Sequence, residues 1–354
     1  MMMRINHLAL RRLVTGIYRA LGLSEDKASL LSDSLVMADL WGHSSHGVLR
    51  TTWYAERIQN NVIDINTDPE ITIDTGPLLA LDGHNGVGQF ITREAVHLAA
   101  ARALQYGVAC VSIRRSGHFG TAMYFTKMLA EKNMIGFLAT NASPAMAAFG
   151  GREKMVGNNP QSWAAPTPFS APFIVDIAHT AVARGKIYLA GEKQEAIPDH
   201  WALSPQGKAT TDPAEAILGT LMPMAGHKGF ALSAMMDVLS GVLSGGAFGQ
   251  AVHGPYVPDK ASGVGHFLMA IDIAKLRSVD AFKEDMGAMI NNWKSSQKAE
   301  GVSEISYPGE KEERHSLNAV SQGLLLASDT LERLLSFASQ HGIKTTLDDL
   351  LAQD

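Results

Sequence analysis

The sequence predicts an α/β protein, α+β in its ordering. A mixed β-sheet occupies the middle of the chain, and a mainly helical unit is built from both chain ends. Three observations lead there. Apolar residues repeat at helical spacing near the N-terminus and again towards the C-terminus. Between those stretches, short runs rich in β-branched residues alternate with helical ones. The chain has 354 residues, more than one typical core supports, yet it shows no internal repeat and no Gly/Ser linker. The boundaries are therefore set at 1–75 plus 275–354 for the helical unit and 76–274 for the α/β unit.

The elements follow in order. Leu10, Leu13, Val14, Ile17 and Leu21 form a helical stripe that Gly22 ends. Ser24 is placed to cap a second helix, with Glu25 and Asp26 favourable in its first turn and Ala28, Leu31, Leu35 and Ala38 as its apolar face. That helix runs to Gly42, and a loop to Gly47 leads into a helix through Arg50, Tyr54 and Ile58. Residues 71–75 and 78–81 read as paired strands around Gly76-Pro77. A helix over 88–106 stops at Gly107, and residues 108–113 form a buried strand. Next come a helix over 121–132, a strand over 135–140, and a strand over 174–178 feeding a helix from about Thr180. Asp212-Pro213 opens a short helix, 229–243 a long apolar one, and 267–273 a strand. The rest is mostly helical, with Ser328 or Asp329 capping a last helix that ends at Gly342.

Composition narrows the function classes. Hydrophobic residues are 46% and charged residues 18%, a globular profile. The 30 basic and 35 acidic residues leave a net charge of -5 with no long basic run, which argues against nucleic acid as a partner. The single cysteine, Cys110, lies in an apolar run and cannot form an intrachain disulfide, which fits a reducing compartment. No signal-like apolar core follows the N-terminal polar residues, and no stretch of about 20 apolar residues is present, so a cytoplasmic protein away from membranes is expected.

Five segments carry chemistry. In Ser45-His46-Gly47-Val48-Leu49-Arg50, a helical spacing puts His46 and Arg50 on one face if the helix begins there. Arginine grips a carboxylate through two hydrogen bonds, and histidine moves a proton near neutrality. The pair suits a 2-oxo acid; the alternative is a capped helix start with an exposed arginine. His43 and His46 also admit a metal site, for which no third ligand is near in sequence. His118, in Ser116-Gly117-His118-Phe119-Gly120, follows a strand, where ligands often bind in α/β units. Thr140-Asn141-Ala142-Ser143-Pro144 also follows a strand and offers small polar groups and free N–H groups. The strand through Asp176, Ile177 and Ala178, with His179 and Thr180, reads as a site wall or a plain helix cap. In Gly226-His227-Lys228-Gly229, a lysine at a helix N-terminus opposes the dipole, and a phosphate would balance it. G-x-G-x-x-G, P-loop, C-x-x-C, H-E-x-x-H and G-x-S-x-G motifs are all missing, and Gly83-His84-Asn85-Gly86-Val87-Gly88 has the wrong spacing for the first. A standard Rossmann sheet is therefore not expected.

Taken in order, these segments resemble the malate/L-lactate/L-sulfolactate dehydrogenase family, and the resemblance runs over nearly the whole chain to Tyr307-Pro308-Gly309-Glu310. It implies a non-Rossmann cofactor domain, a homodimer, and an NAD(P)-dependent oxidoreductase of a small 2-hydroxy acid, with NAD the favoured form. It implies that His46 and His118 are catalytic. On the substrate side it implies Arg50 for the carboxylate, with Tyr54, Asn141 and Ser143 nearby. It implies cofactor contacts from Ser45, from Asp176, Ile177, Ala178, His179 and Thr180, from His227 and Lys228, and from Gly309, Glu310 and Lys311. No metal is implied. The pattern departs from the family at Ala142, where many members carry a hydroxyl residue. Ala181-Val182-Ala183-Arg184-Gly185-Lys186 looks closest to the malate/lactate-like members, beside ureidoglycolate dehydrogenases, diketogulonate reductases and cyclic imine reductases. A metal-dependent hydrolase using His43 and His46 is the distant alternative.

Overall fold

The computed structural model describes residues 2–352. It opens with strand β1 (Met2–Ile5) and helices α1 (His7–Ala20) and α2 (Glu25–Leu40). Ser24 caps α2 by accepting from the Lys27 N–H, as its position predicts. Two short 3-10 turns, Ser44–His46 and Val48–Arg50, lead into α3 (Thr51–Gln59). Strands β2 (Glu70–Asp74) and β3 (Leu78–Asp82), helix α4 (Gly88–Tyr106), β4 (Val108–Ser116), α5 (Met123–Ala130) and β5 (Met134–Thr140) lie close to their expected spans. Then come β6 (Gln161–Ala165), β7 (Phe173–Ile177), α6 (Arg184–Glu192), β8 (Ala202–Leu203), α7 (Pro213–Leu218) and β9 (Thr220–Leu221). Helix α8 (His227–Asp237) continues as a π-helical turn over Val238–Val242. The chain closes with β10 (Val264–Asp272), α9 (Val279–Lys294), α10 (Glu310–Gln322), β11 (Leu324–Ala327) and α11 (Ser328–Gln340).

The main sheet has seven strands in the order β2-β3-β4-β10-β5-β6-β7. Only β3 and β4 run parallel, joined by α4; every other pairing is antiparallel. A doubly wound nucleotide fold needs a run of parallel strands, and this mixed sheet does not provide one. Its centre is β10, which enters late and inserts between β4 and β5. His266 on β10 faces Ile113 on one side and Thr140 on the other. Alanines of α4 (Ala95, Ala99, Ala103) let that helix lie flat on the sheet, beside Phe125 and Leu129 of α5.

The helical part draws on both chain ends. Ile5, Leu10, Ile17, Leu31 and Leu35 share one core with Leu324, Leu331 and Leu334. Strand β1 pairs antiparallel with β11. Two features sit differently from the expected division. Glu70–Asp74 belongs to the main sheet, and α9 packs through Ile290 against Ala171 and Tyr307 rather than onto the N-terminal helices. Among the described residues no helix is long and apolar enough to cross a membrane.

Several boundaries need correction. The helix expected from Thr180 begins at Arg184, because Thr180 bridges to Pro223 and the Ala181 N–H donates to Met222 O at 2.7 Å. Strand β6 was not expected; its sequence, Gln-Ser-Trp-Ala-Ala, has neither β-branched residues nor alternation. The last helix is capped by Ala327, because β11 runs straight into it and leaves Ser328 and Asp329 inside its first turn. The apolar stretch after Gly229 is regular only to Asp237.

Leu334 is 1% exposed in the core shared by both chain ends. Leu334→Ala should lower the unfolding free energy by about 2–5 kcal/mol, read from urea transitions by circular dichroism. A loss below about 0.5 kcal/mol, the range of ordinary surface changes, would mean that α11 is peripheral.

Candidate active site

The His46 segment is set by a buried acid. Asp39, on α2, is 4% exposed, and its Oδ2 accepts the Val48 N–H at 2.7 Å. A Cβ on residue 47 would come within 2.0 Å of Asp39 Oδ1, so only glycine lets the chain pass over the carboxyl. Gly47 at φ -85°, ψ -156° is extended, which splits the segment into two turns. The regular helix begins only at Thr51, so His46 and Arg50 do not share a helical face, contrary to the expectation from their spacing. Arg50 instead folds back on the turn, its Nε donating to the carbonyl of Ser45, the residue before His46, at 2.7 Å. The Arg50 guanidinium lies 4.0 Å over the Trp53 ring. Among the described residues no carboxylate pairs with it.

His118 is brought to the same place by a second close approach. A Cβ at Gly88 would sit 2.4 Å from Gly117 O and 2.7 Å from His118 O, so the glycine lets the start of α4 abut the turn after β4. The His46 and His118 rings stack with centroids 5.7 Å apart. Tyr54 Oη lies 2.5 Å from His118 Nδ1, and the Gly120 N–H donates to that same nitrogen at 3.2 Å. Ser45 Oγ is 2.9 Å from His46 Nδ1.

The electrostatics are one-sided. Burial first, then the charges of Arg50 and His43, hold His46 down to about 4. His118 is pushed well below the ordinary range by burial, His46, Arg50, His266 and Arg57. Burial raises the Tyr54 phenol to about 12, against the pull of Arg50. Both rings are thus neutral near pH 7 in a cationic setting.

The remaining residues expected on the substrate side differ in availability. Ser143 Oγ reaches Tyr256 Oη at 3.1 Å, and Tyr256 meets the edge of Trp53, which links Ser143 to the Arg50 platform. Asn141 faces protein at both ends of its amide. Its Nδ2 donates to Asp237 Oδ1 and Ala247 O, and its Oδ1 accepts the Gly265 N–H.

The segments expected to meet a cofactor converge on β7. The Ile174 N–H donates to Pro308 O at 3.0 Å, which brings Gly309, Glu310 and Lys311 alongside. Beyond β7, Ile177 and Ala178 lead to His179, whose carbonyl accepts the Met224 N–H at 2.9 Å. With the Thr180–Pro223 bridge, this draws His227 and Lys228 in. Helix α8 begins at Gly226 without a side-chain cap, and its first residues, His227 and Lys228, are exposed. An uncapped helix start with a lysine suits a pyrophosphate. Glu310 is held by Lys294. Asp176 accepts the Met123 N–H at 2.8 Å, and burial pushes its carboxyl up to about 7, with Glu312 adding to the rise. His43 turns towards Glu312, 4.0 Å away. Among the described residues no three His, Cys, Asp or Glu side chains form a group that could hold a metal ion.

Sequence reasoning missed Asp39, Trp53 and Tyr256. Asp39 left one signal, a lone acid inside the apolar run Val36-Met37-Ala38-Asp39-Leu40-Trp41. Tyr256 left none, since its link to Trp53 spans a long sequence separation.

Comparisons with known proteins agree with this architecture. The family model described as Malate/L-lactate dehydrogenase matches residues 5–335. A malate dehydrogenase of Pyrococcus abyssi is 38% identical over 341 residues, covering 94% of this chain and 93% of the relative. A malate/(S)-sulfolactate dehydrogenase of Methanothermus fervidus is 34% identical over 336 residues, covering 95% and 97%. The solved sulfolactate dehydrogenase of Methanocaldococcus jannaschii superposes with a TM-score of 0.92 at 32% identity, covering 97% of this chain and 98% of that one. Fold and comparisons define an oxidoreductase of the hydroxy-acid dehydrogenase class. More particularly, the chain belongs to the malate/L-lactate dehydrogenase family.

Asp39 gives a pH-dependent test of the turn. Burial raises its carboxyl from 3.8 to about 7. A carboxyl raised on folding stabilises below its unfolded pKa, and that contribution is lost as pH rises through the folded one. Asp39→Asn has no such dependence. The variant should therefore gain roughly 2–3 kcal/mol of stability relative to the parent between pH 5 and pH 8, read from paired urea transitions. A difference that stays flat over that interval would show that Asp39 is buried as the anion.

Proposed function

We propose that the protein interconverts a small 2-hydroxy acid and its 2-oxo acid, with the site at His46, Arg50, Tyr54 and His118. The observation that carries this reading is the stacked histidine pair beside an arginine without an acidic partner. A carboxylate on Arg50 would supply the missing negative charge through a charge-assisted pair. It would also place the neighbouring C2 oxygen beside the two rings. Ser143 and Tyr256 are positioned to close the far side of the substrate, while Asn141 ties the β5 loop to β10 and α8.

The nicotinamide dinucleotide supplies the chemistry the side chains lack, by accepting or returning the C2 hydride. Lys228 and the N–H groups at the start of α8 would hold its pyrophosphate. Ser45, Asp176–Thr180, His227 and Gly309–Lys311 would line the rest of its path. The protein's own part is to bind the acid, align C2 and move one proton. Carboxylate binding at Arg50 removes part of what holds the histidine pKa down, so substrate binding and proton affinity rise together. The reading includes a cytoplasmic homodimer. Exposed apolar side chains along α8 and its π-helical turn, Leu232, Met235, Val238 and Val242, support a covered face there.

The test is absorbance at 340 nm, crossing NADH and NADPH with pyruvate, oxaloacetate, sulfopyruvate, diketogulonate, oxalurate and a six-membered cyclic imine acid. Turnover with one pair is expected, with oxaloacetate or pyruvate first. His46→Asn should cut that turnover by about 10²–10⁴-fold, whereas Arg50→Met should chiefly raise KM. An unchanged KM in Arg50→Met would remove the carboxylate clamp, and no turnover or cofactor binding at all would reject the reading.

A further inference from the structure

The two histidines are not equivalent, and the hydrogen bonds at their Nδ1 atoms separate their roles. His118 Nδ1 receives a backbone N–H from Gly120 at 3.2 Å. A peptide N–H can only donate, so Nδ1 must present a lone pair. The Tyr54 hydroxyl, 2.5 Å from the same atom, then also donates, consistent with a phenol that keeps its proton. The ring hydrogen of neutral His118 is left on Nε2. Protonating Nδ1 would set a new N–H against the Gly120 N–H, with Arg50, Arg57, His46 and His266 already facing the ring.

His46 is built the opposite way. Its Nδ1 partner is Ser45 Oγ, a hydroxyl that rotates between donating and accepting. Either neutral tautomer and the imidazolium all keep that bond. The charged groups facing His46 are Arg50 and His43, with His118 stacked on it. Two stacked cationic rings are unfavourable, so the pair takes up one proton, and only His46 has a partner that adapts to it. Among the described residues neither Nε2 has a hydrogen-bond partner.

We infer that Tyr54 and Gly120 lock His118 as a permanent Nε2–H donor to the substrate's C2 oxygen, and that His46 alone exchanges the proton. This rests on the dehydrogenase reading above. In oxidation the C2–H pair leaves as hydride to the oxidised nicotinamide, and the hydroxyl O–H breaks with its proton passing to His46. C2=O forms with His118 still donating to its oxygen; reduction is the reverse. Tyr54 is a positioning residue, acting through His118.

The lock is read directly in ¹⁵N–¹H correlation spectra of the full-length protein carrying ¹⁵N-histidine, with His118 assigned by its loss in His118→Gln. The expected spectrum shows Nε2 protonated and Nδ1 bare from pH 6 to 8. Tyr54→Phe should shift the His118 signals selectively, which provides the assignment if His118→Gln does not fold. In activity, His118→Gln keeps a donor near the Nε2 position. It should lose no more than about tenfold in the oxidative direction, the most that one weakened hydrogen bond is worth, and retain the acid limb of the kcat pH profile. His46→Gln should lose that limb. A protonated Nδ1 on His118, or an acid limb that vanishes in His118→Gln, would overturn the inference. If no hydroxy acid or oxo acid turns over, the dehydrogenase reading fails, and the spectrum still decides the tautomer.

Discussion

The site hangs on one hydrogen bond, from the Val48 amide into the buried carboxyl of Asp39. It ties the His46 turn to α2, whose Ala28, Leu31, Leu35, Val36 and Leu40 belong to the core shared by both chain ends. The bond also dictates the residue beside it. Any side chain at 47 would collide with the carboxyl, so glycine is required, and the break it introduces aims His46 and Arg50 separately. Positioning is thus achieved by a rigid helix acting through a side chain, not by the loop itself.

A second constraint is charge. Arg50, Arg57 and three histidines gather near the site, and the acid beneath the turn, Asp39, is occupied by the Val48 amide rather than by a cation. Arg57 is already committed to Val257 O and Ser262 Oγ, which pins the 252–262 loop to α3. Among the described residues only the Nε of Arg50 is engaged, which keeps its terminal nitrogens available. An isolated arginine near apolar walls costs free energy that an anion restores. The proposed carboxylate clamp would therefore be formed before a substrate arrives, and carboxylate binding would relieve part of what lowers the proton affinity of the histidines.

The mixed sheet shows how this arrangement can coexist with the proposed nucleotide path, which lacks the usual glycine fingerprint. Because β7 is an edge strand with a free side, it can collect two distant segments, one through the Ile174 N–H to the Pro308 carbonyl and one through the His179 carbonyl just beyond it, which accepts the Met224 N–H. The proposed phosphate site lies at the start of α8 rather than at a first β-α turn. The same chemistry, uncapped N–H groups near a cation, is reached by a different connection.

The sequence by itself determined the helices and most strands, because apolar periodicity and capping are written within a few residues of each other. Ser24 before α2 and the alanine face of α4 are examples. It also brought the candidate chemistry into view, since His46, Arg50 and His118 sit in short motifs with glycine neighbours. Tertiary structure alone decided what joins distant positions. The pairing of β1 with β11 and the place of β6 between two better-patterned strands depend on partners far along the chain. So do the diversion of Thr180 from a helix cap to a bridge with Pro223 and the grip of Asp39 on the His46 turn. The division of labour between the histidines is of this kind too. It turns on which hydrogen faces which lone pair across 64 residues from Tyr54 to His118, and no local pattern encodes that.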